Sequence, residues 1–106
     1  MDLKKVIIMD AELIEKGISA PKPGIIYTIS LLHYRVLQVV QGVYDKEHVL
    51  IGHHLPDLSS KSFNVGVCHH LWLVREFPRE SSLLNTFQNE SLKADKLFCI
   101  SFQVCS

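Results

Sequence analysis

Two short stretches hold most of the residues able to do chemistry: His53-His54 and Cys68-His69-His70. Imidazole nitrogen and thiolate sulfur are preferred zinc ligands, so three or four of them converging would hold a metal ion. A thiol beside an imidazole is also the pairing that activates a cysteine nucleophile. Successive residues on a strand point to opposite faces, so each double histidine offers one ring to a given side. The set expected on one side is His54, Cys68 and His70, provided that their two strands are antiparallel neighbours. A fourth ligand is missing and the spacings are not those of zinc motifs. The plainer alternative is half-exposed strand histidines with ordinary hydrogen bonds. Thiol chemistry also needs an orienting group; Asp57 and Asn64 sit in plausible connections, and nothing selects either.

Other catalytic signatures are missing. There is no Gly-rich phosphate loop, HExxH or nucleophile elbow. Five scattered glycines read as turns or bulges, and Glu12 and Glu15 read as a solvated face. These negatives lower the enzyme hypothesis generally.

The chain has 106 residues, a length that fits a single domain spanning 1–106. Eleven basic side chains balance eleven acidic ones. A formal charge of zero removes the usual attraction to nucleic acid or an anionic membrane. Base stacking on Tyr27, Tyr34 or Trp72 is conceivable on a strand surface, but no basic groove accompanies them, so nucleic acid is not the expected partner. The longest apolar stretch, Ile25 to Val40, is interrupted by His33 and Arg35, which argues against a membrane span. Val6-Ile7-Ile8-Met9 is too short for a secretory core and is followed by Asp10 and Glu12. Three cysteines, at 68, 99 and 105, form no CxxC. Cys99 and Cys105 on one strand would stand about 20 Å apart, too far for a disulfide. Reduced thiols in the cytoplasm are the expectation.

Composition decides between helix and strand. Val and Ile number 19 together against three Ala, which favours pleated structure. Leu3 to Ile14 fits both patterns, with Val6 to Met9 a good strand core. After Ala20-Pro21-Lys22-Pro23-Gly24, a turn, a long strand runs from Ile25 to Gln41. Its apolar parity switches near Leu32-His33, as a β-bulge or a sharp coil in a long strand would produce. Further strands are expected at His48–His54, Val67–Phe77 and Lys96–Cys105. In the last, Phe98, Ile100, Phe102 and Val104 are expected inward and Cys99, Ser101 and Gln103 outward. Leu55–Ser62 reads as a connection. Arg79–Lys96 reads as a loop or short helix that Leu83, Leu84 and Phe87 tack onto the body. Five strands, one long and bent, predict a mainly β, OB-like Greek-key barrel with one short helix or long loop.

The segments YRVLQVVQGVYDKEHVLIGHH and FNVGVCHHLWLVREFP carry a resemblance. Val36, Val39 and Gly42, followed by Phe63, Val65 and Gly66, resemble the long strand and the "F-x-V-G" entry of netrin-like domains and tissue metalloprotease inhibitors. The resemblance covers residues 34 to 77 and implies an OB-like barrel. Inhibition in that family depends on an N-terminal cysteine and a dense disulfide framework. Here Met1-Asp2 leads the chain and no cysteine precedes Cys68, so protease inhibition is not implied.

The reading that follows is a non-catalytic binding or interaction module of unknown partner. Tyr34, His54, His70 and Trp72 are the residues expected to line its patch for a protein or small molecule. The alternative is a small metal- or thiol-dependent enzyme centred on His54, Cys68 and His70, with zinc as the only metal suggested. An unclosed barrel would leave a strand edge that a second copy can cover, making a homodimer.

Overall fold

The computed structural model describes residues 5–16, 28–54, 59–77, 82–83 and 94–105. Among the described residues six strands appear in chain order: β1 (Ile7–Glu15), β2 (Thr28–Gln41), β3 (His48–His54), β4 (Cys68–Val74), β5 (Ser82–Leu83) and β6 (Ala94–Val104). The Leu3–Ile14 ambiguity resolves as strand, because Ile7, Met9, Ala11 and Leu13 are buried at every second position. That period of two is what a pleated ribbon with one wet face requires.

β1 pairs antiparallel with both β2 and β4. β2 pairs antiparallel with β3, β3 runs parallel to β6, and β6 is antiparallel to β4. Five strands thereby close in the order β1-β2-β3-β6-β4, an OB-like Greek-key barrel. β5 adds two residues beside the start of β2. The core gathers Met9, Leu13, Leu32, Tyr34, Val49, Ile51, Leu71, Leu73 and Leu97. Each large apolar side chain so buried contributes on the order of 2 kcal/mol. At the end of β2, Gly42 takes φ +87°, and a Cβ there would meet Ile7 Cγ1 at 3.1 Å. A glycine both adopts that backbone and allows the close approach.

One end of the barrel is capped by a 3-10 turn, Lys61–Phe63. Ser60 starts it by accepting from the Ser62 N–H at 3.2 Å. Phe63 is buried beneath it. The chain after the turn is stitched to β1 by Gly66 N–H to Leu13 O and Leu13 N–H to Val67 O.

Two expectations about parity are corrected. The β2–β3 ladder is unbroken from Ile29↔His54 to Arg35↔His48, and the register shift opposite His33 and Tyr34 places its extra residue, Ile14, in β1, so β2 itself carries no bulge at Leu32-His33. The parity switches because both faces of this half of β2 are buried. Leu32 and Tyr34 join the barrel core, whereas Ile29 and Leu31 are buried outside that cluster. The irregularities in β2 lie further on, where pairing with β1 skips Leu37 and Val40 and leaves both exposed.

In the first half of β6 the inward residues are Leu97 and Cys99, not Phe98 and Ile100, whereas Phe102 faces inward as expected, against His53, Phe63 and His69. Phe98 packs outside against Phe77, ring centroids 5.7 Å apart. A register shift against Trp72/Leu73 leaves Ile100 unpaired and reverses the parity beyond it. Leu97, Phe98, Cys99 and Ile100 are all apolar, so either parity can be buried, and one extra residue flips every later side chain.

The turn expected at Ala20–Gly24, most of Leu55–Ser62 and most of Arg79–Lys96 lie outside the described residues. So do Tyr27, Asp57, Leu84, Phe87 and the side chain of Leu83.

Candidate functional site

β3 and β4 are not neighbours, because β6 lies between them. His54 and His70 therefore do not converge as expected. The other member of each pair does. His53 follows Val49 and Ile51 on the inner face, and His69 precedes Leu71 and Leu73 on theirs. Both rings enter the capped end of the barrel, with centroids 6.3 Å apart.

Tyr34 joins them from β2. Its hydroxyl lies 2.9 Å from His53 Nε2 and 2.7 Å from His69 Nδ1. His69 Nε2 lies 2.5 Å from the carbonyl oxygen of Ser62 in the capping turn. That carbonyl can only accept, so it fixes the direction of the whole relay. His69 Nε2–H donates to Ser62 O, Tyr34 O–H donates to His69 Nδ1, and His53 Nε2–H donates to the Tyr34 oxygen. Phe63 and Phe102 pack edge-on against His53, at 5.3 and 5.2 Å.

His69 must be neutral for this arrangement, because its Nδ1 accepts while its Nε2–H donates. Burial, and then the neighbouring His69, bring the His53 pKa down to about 3. Burial also lowers His69, opposed by its bond to Ser62. Tyr34 is pushed far above the ordinary tyrosine value by burial and then by Cys99. The relay is sealed, paired and uncharged. It holds the cap to the barrel wall.

The remaining cysteine chemistry also differs from expectation. Cys68 and Cys105 form a disulfide, with Cα atoms 5.3 Å apart. Cys105 N–H donates to Cys68 O across the same strand pair. The expectation of three reduced thiols is corrected for these two. Distance along one strand separates Cys99 from Cys105, whereas the pairing of β4 with β6 brings Cys68 and Cys105, 37 apart in sequence, side by side. Cys68 is no thiolate, so the set His54, Cys68 and His70 lacks its sulfur ligand. Among the described residues no three His, Cys, Asp or Glu side chains are grouped to hold a metal. Cys99 is a buried free thiol, its pKa pushed up to about 12 by burial.

On the outer face of β1, β4 and β6 a second constellation forms. Asp10, His70 and Gln103 stand in one row across the three strands. His70 Nδ1 is 2.5 Å from Asp10 Oδ1. The carboxylate fixes the ring orientation and leaves Nε2 without a partner among the described residues. Trp72, two residues along the same face, meets the His70 ring perpendicularly at 4.6 Å. Asp10, His70, Gln103, Val104 and Cys105 line an open pocket of about 470 Å³. A larger concavity, about 620 Å³, lies between the ends of β1, β2 and β4. Ile7, Val43 and Val74 give it an apolar lining, with Lys5, Arg75 and Glu76. Its lining among the described residues includes no histidine or thiol, and Arg75 is already turned toward Asp95 at 3.4 Å.

Of the expected ligand-lining residues, His70 lines this pocket, and Trp72 packs against the His70 ring. Tyr34 is wholly buried inside the barrel, and His54 is exposed at the end of β3. Asp10, Gln103, His53 and His69 were missed. The phase of His53 with Val49 and Ile51 was a usable signal for its inward position; nothing in the sequence paired Asp10 with a residue 60 positions away. No protein family, curated protein or solved structure matches the chain. Among the described residues no helix is long and apolar enough to cross a membrane.

Proposed function

We propose that this protein is a non-catalytic binding module whose ligand seat is the outer face of β1, β4 and β6 around His70. The observation that carries this reading is the Asp10–His70 bond, which presents a fixed ring nitrogen beside an open pocket. With Nδ1 turned to Asp10, Nε2 is left to meet a polar group of a ligand. Gln103 adds a donor and an acceptor, and Trp72 adds an aromatic surface. The chemistry suits a small ligand carrying hydroxyl or amide groups.

The Cys68–Cys105 bond weighs against the alternative, a thiol- or metal-dependent enzyme at His54, Cys68 and His70. It also favours an oxidising compartment over the cytoplasm. Zero formal charge keeps nucleic acid an unfavoured partner.

Titrating small hydroxyl- and amide-bearing fragments into 15N-labelled protein tests the seat. Signals of Asp10, His70, Trp72 and Gln103 are expected to shift together, and His70→Ala to abolish the effect. Shifts spread over the whole barrel, or unchanged in His70→Ala, would remove the proposal.

A further inference from the structure

The two ladders of β6 end at different places. Pairing with β3 stops at Gly52↔Phe98, whereas pairing with β4 continues to Val104. From Ile100 to Val104, one edge of β6 therefore has no strand partner among the described residues. Three of the large apolar side chains left in solvent lie on this stretch: Ile100 at 38%, Phe102 at 36% and Val104 at 46% exposed.

Native proteins usually guard such an edge with lysine, proline or an inward charge. None is present here: no charged residue or proline occurs between Leu97 and Cys105. The order of side chains is also symmetric in polarity, running Ile100-Ser101-Phe102-Gln103-Val104.

We propose that this edge pairs with the same edge of a second copy, β6 antiparallel to β6 about Phe102. A two-fold axis through Phe102 sets Ile100 opposite Val104 and Ser101 opposite Gln103. Apolar then meets apolar and polar meets polar, as an isologous contact requires. No like charges face each other, and a formal charge of zero on each copy removes long-range repulsion. A charged extended peptide would find main-chain hydrogen bonds here but no charge partner for its side chains, whereas a second copy is complementary along all five residues.

Sedimentation equilibrium on the full chain tests the pairing. The wild-type mass is expected to rise with concentration from 12.1 kDa toward about twice that, the ratio for a closed two-fold pair. The double variant Ile100→Lys with Val104→Lys sets lysines opposite each other and is expected to stay at the single-chain mass. Ile100→Lys with Val104→Glu sets lysine opposite glutamate and is expected to restore the rise, an outcome that misfolding does not produce. Val43→Lys, an exposed site elsewhere, is expected to behave as wild type. The proposal is overturned by a concentration-independent wild-type mass near 12.1 kDa, by association surviving in the lysine–lysine variant, or by no recovery in the lysine–glutamate variant.

Discussion

Tyr34 and His69 stand 35 residues apart in the chain and share a 2.7 Å hydrogen bond inside the barrel. That bond is the middle link between the β3 wall, through His53, and the capping turn, through Ser62. Strands with no direct pairing are thus joined by side chains across the core. Buried polar groups of this kind add stability only while every member is satisfied.

Tyr34→Phe removes the shared hydroxyl and keeps the ring. It leaves a buried donor on His53 and a buried acceptor on His69 without their partner. The expected cost is about 2 kcal/mol, read as a lower urea midpoint with an unchanged slope. A variant as stable as wild type would show that the relay contributes nothing.

Two rings of this network, together with His33 outside it, set the acid response. His53, His69 and His33 all have folded pKa values below the ordinary histidine value. For His33 the causes are burial first, then His48, opposed by Glu15. The unfolded chain therefore takes up protons first as pH falls. Stability is full above a pH of about 6.5 and declines below it. His53 alone, held near 3, contributes a loss of roughly 1 kcal/mol per pH unit through that window. Urea midpoints measured from neutral pH downward are expected to fall steadily. A flat or rising trend contradicts neutral buried rings.

Removing the Cys68–Cys105 bond frees a loop spanning 37 residues. The chain-entropy account assigns this about 4 kcal/mol. Unfolding with and without reductant measures the difference. Without reductant, an alkylating reagent is expected to modify one thiol, Cys99, and only after unfolding, because burial holds it protonated and covered. Modification of three cysteines in the unreduced protein would deny the bond.

Gly52 marks a packing limit on the outside of β3. A Cβ there would lie 2.6 Å from Ile29 Cγ2 and 2.7 Å from Phe77 Cε2. The stiff β-branched neighbour has little room to yield. Gly52→Ala is expected to cost about 1–3 kcal/mol through overpacking. Adding Phe77→Leu should recover part of it, and a thermal-unfolding comparison of the two variants decides.

Much of the barrel was legible from residue order. The excess of Val and Ile over Ala, the alternation in β1 and the bounds of β3 follow from how a pleated ribbon divides water from core. The inward phase of His53 was readable for the same reason. What only the tertiary structure decided is non-local. The β6 parity turned on one unpaired residue, Ile100, which costs no change in local composition. The meeting of His53 with His69, rather than His54 with His70, required β6 to lie between β3 and β4. Cys68 found Cys105, and Asp10 found His70, because antiparallel pairing makes distant residues adjacent. A strand's sequence fixes which faces it can bury; which strand lies beside it depends on closing the whole ring of hydrogen bonds at once.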